Sequence, residues 1–236
     1  LFKQWFVDFE FPNENGEPYK SSGGEMVDSE LGEIPKGWEV FRLKELLTIK
    51  RGGSPRPIQD YMADFGLPWV KISDATALNN PFLFETKEFI KPEGLKKTVL
   101  MKKGSLVLSN SATPGLPIFL ELDACIHDGW LHFQDIKKLS YNYLYLFFLD
   151  IRKDLVGKGN GSIFINLKTD ILKEYQISIG PNEILSRFNN VIDPIFANIK
   201  QVALENRNLI QLRDTLLPKL ISGDLEINES LLEQTF

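Results

Sequence analysis

Between Asp193 and Gly223 apolar residues recur at steps of four and three, at Ile195, Ile199, Val202, Leu209, Leu216 and Leu220. That spacing is a heptad seam. Asp193 suits a helix cap and Pro194 a first turn, so the pattern predicts a helix over residues 194–217, a rod of about 36 Å. Ile192 extends the apolar face at its start. The neighbouring positions Phe196, Ala203, Ile210 and Leu217 are apolar too, which makes the stripe wider than a two-stranded coiled coil buries. Asn206 and Arg213 interrupt the seam, where buried polar groups cost stability but restrict register and partner choice. The stripe is expected to dock on other polypeptide; the competing expectation is an amphipathic helix lying on its own domain.

Upstream the pattern changes. Residues 13–36 are rich in Gly, Glu, Ser and Pro with little apolar periodicity and read as an exposed linker. Ahead of them Trp5, Phe6, Phe9 and Phe11 are too apolar for a free tail and are expected to pack on a neighbouring element. Over residues 38–49 the pattern predicts a strand entry and a short helix. Strand patterns follow at 68–73, 104–110, 117–126 and 130–134. Residues 141–156 have the length and period of a helix capped by Ser140 or Asn142, and 163–167 and 175–179 read as closing strands. The fold class expected is α+β: one mixed α/β domain followed by a long heptad-patterned helix. In domain terms this gives residues 1–37 as the tail of a preceding helical region plus linker, 38–180 as the globular domain, 181–223 as a spacer or dimerisation helix, and 224–236 as a C-terminal tail.

Composition narrows the class. A hydrophobic share of 43% with 25% charged residues is that of an ordinary globular protein. With the single cysteine, Cys125, no internal disulfide can form, and a reducing compartment is favoured. No apolar run approaches the roughly 18 residues of a bilayer span, so no membrane partner is expected and a cytoplasmic location is. The chain starts at Leu1 rather than methionine, and its first residues read as the end of an element already under way.

The net charge of −5 would argue against a polyanionic partner, but it is unevenly spread. Residues 1–41 carry −6, residues 42–173 carry +5 and residues 174–236 carry −4. The basic middle segment contains three glycine-bearing polar loops: Lys50-Arg51-Gly52-Gly53-Ser54-Pro55-Arg56, Ser109-Asn110-Ser111-Ala112-Thr113-Pro114-Gly115 and Gly157-Lys158-Gly159-Asn160-Gly161-Ser162. Glycine permits close backbone approach, and arginine grips phosphate or guanine through two parallel hydrogen bonds. None of the loops fits a Walker or dinucleotide fingerprint. Each could equally be a tight turn.

Three segments carry a resemblance that spacing could not supply: Leu1-Phe2-Lys3-Gln4-Trp5-Phe6-Val7-Asp8-Phe9, Glu30-Leu31-Gly32-Glu33-Ile34-Pro35-Lys36-Gly37-Trp38 and Leu212-Arg213-Asp214-Thr215-Leu216-Leu217-Pro218-Lys219-Leu220-Ile221-Ser222-Gly223. With Gly66-Leu67-Pro68-Trp69-Val70-Lys71-Ile72-Ser73-Asp74 and Gly161-Ser162-Ile163-Phe164-Ile165-Asn166-Leu167, the chain resembles the specificity subunit of type I restriction–modification enzymes. In that family two target-recognition domains alternate with two helical regions that pack antiparallel as a spacer. The resemblance implies that this chain holds the tail of the first helical region, the second recognition domain and the second helical region. It also makes a helix-paired homodimer plausible.

The resemblance further implies recognition without catalysis. Double-stranded DNA, modification subunits and, through them, a restriction subunit are the implied partners. S-adenosylmethionine, Mg and ATP would be used by those partners, and this chain is expected to need no cofactor. Arg51, Arg56, Lys71, Lys158 and Lys168 are candidate cations, and Ser54, Ser73, Ser109, Asn110, Thr113, Asn160 and Asn166 candidate hydrogen-bonding contacts. Two other chemistries compete. Asp74 with Glu85-Thr86-Lys87 loosely matches a Mg-dependent nuclease, and Cys125, His127 and His132 could suggest zinc. Burial of Cys125, with His127 bonded to nearby backbone or to Asp128, is the simpler expectation. A protein-interaction scaffold that touches no DNA is the remaining alternative.

Overall fold

The computed structural model describes residues 1–157 and 167–225. The chain divides into two compact units, Leu1–Pro194 and a second beginning at Ile195.

The first unit is built on two five-stranded sheets. One runs in the order Thr48–Arg51, Trp130–Gln134, Leu106–Ser109, Pro117–Leu120, Phe82–Leu83, antiparallel except for its last, parallel pair. The other runs Met62–Ala63, Glu88–Ile90, Leu67–Val70, Ala124–Ile126, Val99–Met101. Alternation along the strands decides what lies between them, because successive side chains point to opposite faces. Val107, Ile118, Leu120 and Trp130 of the first sheet meet Val70, Ala124, Ile126 and Met101 of the second in one core. The Trp130 indole N–H donates to the carbonyl of Val70 at 3.0 Å, a buried bond between strands of the two sheets. Trp69 and Cys125, one position along, turn the other way and pack with Ile90 in a separate cluster.

The first sheet is backed by the helix Tyr141–Gly157, where Phe148 stacks on Phe133 at 4.9 Å and Tyr145 on Phe119 at 5.3 Å. Ser140 caps it, its hydroxyl accepting from the N–H of Tyr143. Phe2, Trp5 and Phe6 join Tyr143 and Phe188 in edge-to-face and tilted contacts of 4.8–6.1 Å. Phe9 and Phe11 reach Trp38. The aromatic N-terminal residues therefore pack on neighbouring elements, as their composition requires.

Four expectations are corrected. Residues 13–36 are mostly exposed, with Ile34 and Pro35 buried, but are not an open linker: Asn13 Oδ1 accepts from the N–H groups of Asn15 and Glu17, Tyr19 stacks on Phe11 at 4.6 Å, and Met26–Ser29 pairs antiparallel with Gly32–Pro35. Side-chain turns and a hairpin leave no long apolar period, which is why composition alone reads as linker. The stretch 117–126 is two strands in different sheets, and 68–73 is a short strand followed by the helix Ile72–Thr76. The long helix runs Asn182–Ser222, so Pro194 lies inside it and Asp193 is no cap. The Asp193 carboxylate instead accepts from Asn142 Nδ2 at 2.8 Å. The earlier turns are anchored by Leu185, Phe188 and Ile192, all buried, and such packing outweighs the missing N–H of one proline. The expected strand at 163–167 lies outside the described residues except for Leu167.

In the second unit Phe196 and Ala203 are buried. The seam residues Ile195, Ile199, Val202 and Leu209 are exposed, Leu209 at 61%, and so are Ile210 and Leu217. Asn206 and Arg213 are exposed, and Leu216 and Leu220 are half-buried.

Candidate nucleic-acid interface

The first sheet's edge strand ends at Arg51, and the chain then crosses to the second sheet. That crossing is possible because Gly52 lies against main chain. A Cβ there would meet the carbonyl oxygen of His127 at 2.3 Å and that of Ile126 at 2.7 Å. The Gly52 N–H donates to the Trp130 carbonyl at 2.9 Å and the Gly53 N–H to the Ile126 carbonyl at 3.2 Å. The expected use of these glycines to bring amides to a phosphate is thus replaced by a structural one, since both amides already bond within the fold.

Opposite them is the turn Ile126-His127-Asp128-Gly129-Trp130, which joins a strand of each sheet. Arg51 donates from Nε at 3.1 Å and Nη2 at 2.7 Å to the main-chain carbonyl of Asp128. Ser54 Oγ donates to Asp128 Oδ1 at 2.7 Å, and Arg56 Nη2 to Oδ2 at 3.0 Å. The Ser54 hydroxyl is the chief cause that holds the Asp128 carboxyl below the usual range, with Arg56 adding to it against the cost of burial. His127 Nδ1 accepts from the Gly129 N–H at 2.8 Å, which fixes the neutral tautomer with the proton on Nε2. Burial pushes the His127 pKa down, opposed by Asp128, so its 3.9 Å approach to Asp128 Oδ1 is a polar contact and not an ion pair at neutral pH.

These elements wall a cleft of about 760 Å³. Its apolar lining includes Pro55, Ile58, Trp69 and Ile72, and its polar lining Ser54, Arg56, Lys71, Ser73 and Ser111. Lys71 pairs with Glu88, and Arg56 remains 79% exposed despite its contact with Asp128. Ala112, also lining the cleft, has φ +57°, a left-handed conformation uncommon for a residue with a Cβ.

Of the sequence-derived candidates, Ser54, Arg56, Lys71 and Ser73 line this one cleft and Arg51 adjoins it through Asp128. Ser109 and Asn110 are buried instead of presented. Ser109 Oγ donates to the Thr113 carbonyl and accepts from the Leu116 N–H at 2.9 Å, so it shapes the loop from within. The Asn110 main chain bonds to Gly129 and Leu167, while its side-chain Oδ1 is buried without a hydrogen-bond partner among the described residues. Thr113 is half-buried on that loop, and Lys168 is exposed where its carbonyl opens the helix Thr169–Lys173. Lys158, Asn160 and Asn166 lie outside the described residues. Sequence reasoning names Asp128 only as a partner for His127 and misses its place among the site residues, although an Asp-Gly pair between two apolar runs is a recognisable turn signal.

The competing chemistries have structural counterparts. Asp74 is buried and its carboxylate accepts from the Lys71 N–H at 3.0 Å, capping Ile72–Thr76. The Cys125 side chain packs with Trp69 and Ile90, and burial raises its thiol pKa to about 11. His132 is buried in the first sheet, its pKa lowered by burial and then by Lys50. Among the described residues no group of three or more His, Cys, Asp or Glu is placed to hold a metal ion, and no helix is long and apolar enough to cross a membrane.

A two-sheet α/β module whose inter-sheet turn gathers cations beside a cleft, followed in sequence by a long helix, is the class of protein defined by this architecture. The family model for the type I restriction modification DNA specificity domain matches residues 35–213, and the chain belongs to that family. It is 27% identical over 238 residues to the type I restriction enzyme MjaIX specificity subunit of Methanocaldococcus jannaschii, covering 97% of this chain and 52% of that protein. It is also 27% identical over 201 residues to the HindI specificity subunit of Haemophilus influenzae, covering 81% of this chain and 42% of that one. The chain spans about half the length of these curated relatives.

Solved structures agree on the fold. The HsdS subunit from Thermoanaerobacter tengcongensis superposes with a TM-score of 0.53 at 22% identity, over 84% of this chain and 48% of that one. The S subunit of a type I restriction-modification system from M. genitalium gives 0.55 at 15% identity, over 78% and 46%.

Proposed function

We propose that this chain is a DNA-recognition component of a type I restriction–modification complex, reading one half of a bipartite duplex target through the cleft face. The single observation that carries the reading is the convergence of Arg51, Ser54, Arg56, Lys71 and Ser73 from separate segments on one face of a member of this family. Arginine and lysine there supply phosphate attraction or guanine contacts, and the hydroxyls supply hydrogen bonds to backbone or base edges. Ser109 and Asn110 support the loop beneath this face, and Thr113 and Lys168 stand as peripheral contacts.

The helix supplies the second half of the proposal. The exposed seam Ile195, Ile199, Val202 and Leu209 is the docking surface for modification subunits or for a second copy of the chain, and a restriction subunit joins through that complex. The chain performs no chemistry of its own. Methyl transfer with S-adenosylmethionine, and cleavage with Mg and ATP, belong to the partner subunits, in the cytoplasm.

The test is an Arg51→Ala/Arg56→Ala double variant of the full chain assembled with modification subunits, titrated with target and scrambled duplexes. Removing one well-formed bidentate arginine–DNA interaction costs about 1–3 kcal/mol, so target affinity is expected to fall at least tenfold. Unchanged affinity for both duplexes removes this face from the interface and favours a scaffold that touches no DNA.

A further inference from the structure

Asp128 is the point on which the cleft's donors converge. Its two carboxylate oxygens take one hydroxyl, from Ser54 at 2.7 Å, and one guanidinium N–H, from Arg56 at 3.0 Å. Its main-chain carbonyl takes two N–H groups of Arg51. A hydroxyl and a guanidinium are also the donors that a DNA phosphate recruits. A phosphate arriving at Arg56 and Ser54 meets an acceptor already there, and the negative charge of Asp128 repels it.

The contact is weak enough to be exchanged. Arg56 is 79% exposed and Asp128 43%, and pairs so open to water are screened and contribute little. Such a pair does not lock the face. The geometry points to Asp128 as a specificity-setting positioning residue, whose carboxylate occupies the Arg56 and Ser54 donors in the unbound chain and so suppresses sequence-independent DNA binding. This rests on the cleft face being the DNA interface.

The experiment compares Asp128→Asn with Asp123→Asn in the full chain assembled with modification subunits, across a salt series, on a random-sequence duplex and on the target duplex. Asp123 is a matched control for charge: it pairs with Lys102 at 2.6 Å and accepts from the Lys103 N–H, on the separate connection between Pro117–Leu120 and Ala124–Ile126. Asp128→Asn is expected to tighten random-duplex binding roughly threefold at low salt and to steepen its log–log salt slope by up to about 0.9, the value of one additional phosphate contact. The preference for target over random sequence falls with it, and Asp123→Asn leaves both readouts unchanged. An unaltered slope in Asp128→Asn, or the same change in Asp123→Asn, overturns the proposal. If Asp128→Asn does not fold, the guanidinium resonance of Arg56 in the unaltered chain is followed while random duplex is added at low salt. A shift supports exchange from Asp128 to phosphate, and an unmoved resonance overturns it. Should the Arg51→Ala/Arg56→Ala variant bind normally, the DNA reading itself has failed. Should that variant weaken binding while Asp128→Asn changes nothing, only the role of Asp128 has.

Discussion

Replacing Gly52 by alanine probes the joint that aims the arginines. The added Cβ would sit 2.3 Å from one main-chain carbonyl oxygen and 2.7 Å from another, and neither can swing aside as a side chain would. Forcing a methyl into a filled space costs about 1–3 kcal/mol. Relief by moving the strand stretches the Gly52 to Trp130 and Gly53 to Ile126 hydrogen bonds, each worth about 1 kcal/mol net. The expected loss is therefore about 2–4 kcal/mol, a large part of the roughly 5–15 kcal/mol typical of a domain. Urea unfolding followed by tryptophan fluorescence measures it as a lower midpoint at unchanged slope. Gly53→Ala, which meets one carbonyl oxygen at 2.9 Å, is expected to cost less. A Gly52→Ala variant within about 0.5 kcal/mol of the parent would refute the argument that this glycine exists to let the two main chains close.

Other consequences follow from the same geometry. Trp130→Phe removes the buried bond to the Val70 carbonyl, so the urea midpoint should fall by the equivalent of about 0.5–1.5 kcal/mol. His127 and His132 both have folded pKa values pushed below the usual histidine range by burial, so the unfolded chain binds more protons. Their contribution is complete above the unfolded value near 6.5 and is lost as pH falls through the folded values; a thermal midpoint that did not decline between about pH 7 and 5 would contradict it. Leu209→Asp on the exposed seam should abolish association with modification subunits, or self-association, in analytical ultracentrifugation while leaving the melting of the first unit unchanged.

What the sequence reveals depends on how local the cause is. The seam and the strand at residues 130–134 are written in periodicity and are found where expected. The start of the long helix is not, because Phe188 packs on Phe2, Trp5, Phe6 and Tyr143, neighbours that no local pattern contains, and Leu185 and Ile192 are buried as well. The turn at Asn13 and the hairpin that follows it within residues 13–36 are missed for the opposite reason: their side-chain hydrogen bonds come from Asn13 and Ser29, residue types whose signal is that of any loop. At the cleft, residue type alone singles out Arg51, Ser54, Arg56, Lys71 and Ser73 as candidates, and the fold brings the last four to one cleft that Arg51 adjoins through Asp128. The burial of Ser109 and Asn110 depends on strand pairing and loop closure around them, and the place of Asp128 depends on two sheets meeting at one turn. Polar character alone distinguishes neither.

The proposed function places duplex DNA against the cleft beside the inter-sheet turn at Asp128. Site-specific photo-crosslinking tests it most directly, with a photoreactive residue placed at Gln59, which lines the cleft, or at Lys20 on the N-terminal loop, in the chain assembled with modification subunits. A covalent adduct with target duplex is expected from Gln59, competed away by unlabelled target, and little from Lys20. Efficient crosslinking from Lys20 with none from Gln59 would contradict that placement.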